Sequence, residues 1–178
     1  FIDSVKANGG YYIARYEASY GTDGKANSKV SSNYSTTTAP TNEGTLWNFV
    51  TQLNATIASR NLYTTAITDL VNSYAWDTAI VYIQNFSGDT DYSYQSSKNT
   101  ALSNTGKNGD EICKINDMAS NDYEWTTEYS TYVYNSSAFP CTRRSGGYND
   151  SSIYTSYRGQ NFATSSREYH TFRSLLYI

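Results

Sequence analysis

The stretch Asn116-Asp117-Met118-Ala119-Ser120-Asn121-Asp122-Tyr123-Glu124-Trp125 decides the fold. Asp117 and Asn121 bracket a tight turn, since both short polar side chains can hydrogen-bond nearby backbone. Tyr123, Glu124 and Trp125 then alternate, so a strand here sets Tyr123 and Trp125 on an apolar face and Glu124 on a polar one. A carboxylate inside a domain calls for a cation. Glu124 and Glu17 are therefore expected to pair with Arg173, Arg158 or Arg15.

Upstream, residues 74–86 place Ala75, Trp76, Ala79, Ile80, Ile83 and Phe86 at helical spacing, with Ser73 as a cap. Residues 45–60 give the clearest helical pattern, with Leu46, Phe49, Val50, Leu53 and Ile57 on one face and Thr45 as N-cap. Both helices are expected to pack on one side of a sheet. Residues 10–18 read as a strand, residues 20–44 as a long surface excursion, and residues 87–110 as polar again. Short strands are expected around Ile115 and Trp125. Beyond them the chain breaks into Tyr-containing pieces separated by Ser, Asn and Gly, and residues 172–178 regain strand character. The two terminal strands could pair. Helices first, then short strands and loops, predict an α+β domain.

The segment 116–125 resembles the DMxGNxWEW signature of the formylglycine-generating-enzyme branch of the C-type lectin fold. Other pieces follow in the family's order. Gly10-Tyr11-Tyr12-Ile13-Ala14-Arg15-Tyr16-Glu17 looks like its opening strand, and Tyr74-Ala75-Trp76-Asp77-Thr78-Ala79 like the start of its second helix. Arg144-Ser145-Gly146-Gly147-Tyr148 is similar to its Arg-Gly-Gly element, and Phe172-Arg173 to its closing strand. Ser120, Tyr123 and Ser145 depart from the pattern. The resemblance implies two helices packed on small antiparallel sheets with long irregular loops, in a single domain. Within this fold the chain is most similar to the variable proteins of diversity-generating retroelements, found in phages and bacteria. There, adenine-directed mutagenesis rewrites a C-terminal region. Asparagine codons can become Tyr, Ser, Asp, His, Thr, Gly, Ile, Phe, Ala and several others, but not Lys, Glu, Gln, Met or Trp.

That resemblance implies residues 1–118 as scaffold and 119–178 as the variable, ligand-binding region. No lysine follows Lys114, and between Tyr148 and Ser166 only Gln160 lies outside the allowed set. Nine of the nineteen tyrosines follow Ser120. Tyr offers a large amphipathic contact at low entropy cost, and Ser, Gly and Asn adapt their hydrogen bonds, as in antibody paratopes. The expected ligand-binding residues are Tyr148, Asn149, Asp150, Ser151, Ile153, Tyr154, Tyr157, Asn161, Phe162, Tyr129 and Tyr132. Asp117 to Trp125, Gly146, Gly147, Gln160, Phe172 and Arg173 are expected to be scaffold.

Composition narrows the alternatives. Net charge is −3, charged residues are 16 % of 178, and there is no basic run, which argues against nucleic acid. No apolar run reaches the ~20 residues of a membrane span. With neither initiator Met nor signal peptide, the chain is expected to be the C-terminal part of a longer protein. Cys113 and Cys141 read as two buried thiols or a disulfide, and with one histidine they make no structural zinc site. Formylglycine-generating enzymes, by the resemblance, use a cysteine pair just after the Arg-Gly-Gly element; residues 148–157 contain none, so no thiolate is in place for an oxidase. The sole histidine, His170, is expected at the surface, leaving no base for a triad. Asp89 and Asp91 lack calcium-loop spacing.

The expectation is a non-enzymatic display module without cofactor, on a virion (phage tail) or bacterial cell surface. Its partner would be a protein or cell-surface ligand, and an oligomer is allowed. A structural virion or adhesin domain without diversification is the alternative, and an oxidase the weakest.

Overall fold

The computed structural model describes residues 2–96, 101–148 and 150–177. In chain order the elements are α1 (Ile2–Asn8), β1 (Tyr11–Ile13), β2 (Ser19–Tyr20), β3 (Ala26–Asn27), α2 (Gln52–Arg60), β4 (Thr68–Leu70) and α3 (Ser73–Phe86). There follow β5 (Tyr123–Tyr129), β6 (Val133–Tyr134), β7 (Ser137–Ala138), β8 (Cys141–Arg144), β9 (Arg158–Asn161), β10 (His170–Phe172) and β11 (Ser174–Tyr177). Helices come before most of the strands, and the architecture is α+β.

The turn before β5 forms because Asp117 and Asn121 accept φ of 59° and 68°, a left-handed conformation that short polar side chains tolerate. Their side chains reach further than the nearby backbone expected of them. Asp117 accepts from the Thr105 hydroxyl (2.7 Å), the Gly106 N–H (2.5 Å) and Asn108 Nδ2 (2.7 Å). Asn121 accepts the Ser103 N–H (3.0 Å) and donates to Glu17 (2.6 Å). The turn is thereby fastened to the 103–108 loop and to the chain's first strand region.

β5 is central in a four-stranded sheet ordered β10-β5-β8-β9, parallel to β10 and antiparallel to β8. The terminal strands do pair: β11 lies between β1 and β4, with Tyr11 opposite Tyr177 and Ser174 opposite Leu70. Arg173, between β10 and β11, carries the buried ion pair. Its Nε donates to Glu124 Oε2 (2.6 Å) and its Nη2 to Oε1, while its remaining donors hold the Ala14 and Asn116 carbonyls. Glu17 is not paired with an arginine; Asn121 Nδ2 and the Asp122 N–H donate to it. Arg15 instead pairs with Glu111, and Arg158 with Asp77 and Glu128.

α3 follows the expected periodicity. Ala75, Trp76, Ala79, Ile80 and Ile83 are buried, and the cap is Asn72, whose side chain accepts the Ala75 N–H. Phe86, on its last turn, is exposed. With Met118, Ile115 and Leu175, these residues form one core; Val50, Ala55, Ala58, Leu70, Trp125 and Phe172 form a second. Cys113 packs against the first and Cys141 lies in the second, both as free thiols.

The helix expected over residues 45–60 starts only at Gln52, capped by Thr51. Before it, the backbone is drawn into extended pairing: the Leu46 N–H donates to the Asn33 carbonyl (2.8 Å) and the Trp47 N–H to that of Ala18 (2.9 Å). Phe49 has φ 49°. Leu46 and Val50 are buried by that tertiary pairing, while Leu53 and Ile57 face solvent; α2 buries Ala55, Ala58 and Ser59 instead. Long-range hydrogen bonds outweighed a periodicity worth tenths of a kcal/mol per residue. The strand expected around Ile115 is a two-residue hairpin, Ile112 and Ile115 exchanging hydrogen bonds across Cys113 and Lys114, both at positive φ. Among the described residues no helix is long and apolar enough to cross a membrane.

Candidate functional site

Antiparallel partners share a face, so β5, β8 and β9 sort their side chains into two sets. One face holds Glu124, Arg144 and Arg158, aligned across the sheet, and meets α3. Arg144, 1 % exposed, donates to Asp77 and to the carbonyls of Tyr157 (3.0 Å) and Ser156 (3.2 Å). The Trp76 indole donates to the Thr155 carbonyl (3.1 Å), and the Thr155 N–H and hydroxyl both donate to the Gln95 carbonyl. Loop 150–157 is thus fastened from below, with Thr155 buried, while Ser151, Tyr154 and Tyr157 are exposed above.

The opposite face carries Tyr123, Arg143, Gly159, Asn161 and His170. The Arg143 guanidinium lies 3.7 Å from the centre of the Tyr123 ring. Tyr157 packs close to Gly159, where a Cβ would fall 2.7 Å from a ring carbon. His170 is not at the surface. Parallel pairing sets it opposite Tyr123, fully buried and 4.5 Å from Trp125 between ring centroids. Burial, then the charges of Arg143 and Arg167, push its pKa down to about 3. It is therefore a neutral imidazole, with Nε2 receiving Arg143 Nη1 at 2.8 Å.

The expected contact residues divide accordingly. Tyr154 and Tyr157 stand on the fastened loop, and Tyr154 packs edge-on against Tyr94 at 5.9 Å. Phe162 stacks on Phe139 (4.3 Å), which meets Tyr132 (5.7 Å), so Phe162 and Tyr132 join in one aromatic cluster. Tyr129 is exposed at the end of β5, in register with Cys141, which is itself opposite Asn161. Asn161 is half-buried and accepts the Phe162 N–H. Tyr148 is turned to the scaffold: its hydroxyl donates to Glu168 (2.9 Å), its N–H to Asn121 (2.6 Å), and burial with Glu168 pushes its pKa up to about 12. Ile153 is half-buried, pressed against Gly146. Asp150 accepts from the Ser152 N–H and hydroxyl, an Asx turn. Asn149 lies outside the described residues.

Arg143, Ser165, Arg167 and Tyr169 belong to this surface and were not expected there. Nothing in the doublet Arg143-Arg144 distinguishes an arginine aimed at α3 from one aimed at the opposite face; only the strand register does. Among the described residues no three His, Cys, Asp or Glu side chains are placed to hold a metal ion. Asp89, considered for a cation loop, accepts from Gln95.

No protein-family model matches the chain, and no curated protein matches it in sequence. Among solved structures it is similar to one described as the crystal structure of CarF, with 14 % identity over 94 % of this chain and 86 % of that one, TM-score 0.65. It is also similar to Treponema denticola variable protein 1, with 13 % identity, TM-score 0.46, over 64 % of this chain and about half (49 %) of that one. What the likeness to CarF conveys is the fold: nearly the whole chain follows one architecture at an identity too low to carry function.

Proposed function

We propose that this chain is a ligand-binding display module of C-type lectin fold, a variable protein of the retroelement-diversified kind, working on a virion or bacterial cell surface. The observation that carries the reading is the construction of loop 150–157. Its backbone is gripped by Trp76, Arg144 and Gln95, while Ser151, Tyr154 and Tyr157 project outward. Rigid aromatics on a fixed backbone lose little entropy on binding. Cys113 and Cys141 sit in separate cores, away from the stretch after Gly147 where an oxidase of this fold would hold its cysteines, which supports a non-catalytic role.

Sequencing the same gene from sibling genomes tests the reading. Substitutions should concentrate after Ala119 at codons derivable from AAY, next to a near-identical template repeat; an even spread along the gene refutes it. A second test is physical. Replacing Tyr154, Tyr157 and Phe162 together by Ser should lower stability by about 1–2 kcal/mol in total, mainly the Phe162–Phe139 contact. A loss of cooperative unfolding would mean that these side chains are core, not display.

A further inference from the structure

Among the described residues, two guanidinium groups on this surface lack a counter-ion. Five of the seven arginines hold carboxylates: Arg15 with Glu111, Arg60 with Asp69, Arg144 and Arg158 with Asp77, Arg173 with Glu124. Among the described residues, Arg143 and Arg167 form no ion pair. Both flank His170, and their charges help keep it neutral. Arg143 is held against Tyr123 and His170, with its buried Nε unpartnered. Asp150 acts on Arg143 through space, but its Oδ1 is held by Ser152. Glu168, the neighbour of Arg167, is engaged by the Tyr148 hydroxyl.

Next to this pair opens a polar cleft of about 420 Å³, lined by Asn161, Thr164, Ser165, Ser166, Arg167 and Tyr169 among others, none of them acidic. Two of its walls touch the imidazole: Asn161 Nδ2 lies 3.4 Å from His170 Nε2, and Ser165 Oγ lies 3.4 Å from Nδ1. Arg143 therefore stands one layer behind the cleft and Arg167 at its rim. The lining offers a guanidinium, an amide and hydroxyls.

We propose that this cleft receives a carboxylate, the acidic side chain of a protein ligand. The proposal rests on the ligand-binding reading and specifies its chemistry. Arg167 and Asn161 would donate to the carboxylate directly, while Arg143, half-buried with its Nε out of water, adds positive potential from behind. A protein is the source the surroundings favour, because Phe162 and Tyr169 line the cleft and Phe162 continues through Phe139 to Tyr132, the kind of aromatic contact that protein interfaces use.

The test uses the whole chain with ¹⁵N-labelled arginine and asparagine side chains. Three probes are titrated into the millimolar range: the blocked tripeptide Gly-Glu-Gly, its Gly-Gln-Gly counterpart, and glucuronate. The glutamate peptide is expected to shift the Arg167 Nε–H and Asn161 amide signals, more strongly at low salt, while the glutamine peptide leaves them in place. Arg167→Gln, on an exposed side chain, should weaken binding about tenfold, and Arg158→Gln, outside the cleft, should not change it. Equal response to both peptides, no response to either, stronger binding of glucuronate, or an unaffected Arg167→Gln would each overturn the proposal. Such a failure removes the carboxylate preference alone; the pattern of substitutions among sibling genes tests the display reading separately.

Discussion

Asp122 is completely buried, and among the described residues neither of its carboxylate oxygens has a hydrogen-bond partner. The charges that act on it are also acidic: Glu124, Glu168 and Asp117. Burial first, then these neighbours, pushes its pKa well above the usual carboxylate value. The folded protein therefore holds a proton that the unfolded chain releases near pH 4. Stability is fully present below that unfolded value and is lost as pH rises toward the folded one, at no more than about 1.4 kcal/mol per pH unit for one group. Asp122→Asn removes this dependence. A buried neutral acid and a buried amide, each without partners, cost about the same 1–3 kcal/mol, while the linkage penalty on the acid grows by about 1.4 kcal/mol per pH unit above about pH 4. The variant should thus be more stable by up to about 4 kcal/mol at pH 7 and about equal to the parent at pH 4, where the acid is neutral in both states. Urea unfolding followed by tryptophan fluorescence at half-unit steps from pH 4 to 8 gives both curves. Part of the slope should survive in the variant, because Glu17 is pushed in the same direction by burial, and Asp117 up to about 6 by burial and Asp110. A gain that is constant with pH, or a variant less stable at pH 7, would refute the reasoning, since either means that Asp122 is not a buried acid held neutral.

The other expectations follow from the same contacts. Glu124→Gln leaves the fully buried Arg173 without its counter-charge and should cost about 3–5 kcal/mol by urea unfolding, whereas Asp69→Asn, facing the exposed Arg60, should cost about 1 kcal/mol or less. Trp76→Phe removes the donor to the Thr155 carbonyl and should cost about 1–3 kcal/mol, with faster amide hydrogen exchange at Thr155 and Ser156 read by mass spectrometry; unchanged exchange there would mean that Trp76 does not hold the loop. Gly146→Ala would place a Cβ 2.9 Å from that of Ile153, and the overpacking should lower stability by about 1–3 kcal/mol in the same unfolding assay.

What could be read from the sequence was what depends on near neighbours. The Asp117–Asn121 turn, the β5 strand and the α3 helix follow from spacing within a dozen residues, and the structure has all three. What could not be read depends on which distant backbone comes alongside. Residues 45–50 carry helical spacing but are taken by pairing with Ala18 and Asn33. His170 looked like a polar loop residue until β10 lay parallel to β5, 47 positions earlier at Tyr123. Tyr148 has the composition of a contact residue, yet its hydroxyl is held by Glu168 and its backbone by Asn121. Arg143 and Arg144 are adjacent and chemically identical, and only the register of β8 sends one to Asp77 and the other to His170.

The way loop 150–157 is held bears on whether its surface could be rewritten at all. A loop stabilised by its own side chains would unfold when they changed. Here most of the grip is on main-chain atoms: Trp76 takes the Thr155 carbonyl, Arg144 takes those of Ser156 and Tyr157, and the Thr155 and Ser156 N–H groups donate to the Gln95 and Ser93 carbonyls. Each such bond contributes about 1 kcal/mol whatever side chain sits at the residue that supplies the atom. Substitution at Ser151 or Tyr154 leaves all of them in place, while the residues that do the gripping, Trp76 and Arg144, stand outside the loop. On the display reading proposed above, fixity and change fall to different atoms, the backbone from below and the side chains above, so that a change of ligand need not be a change of fold.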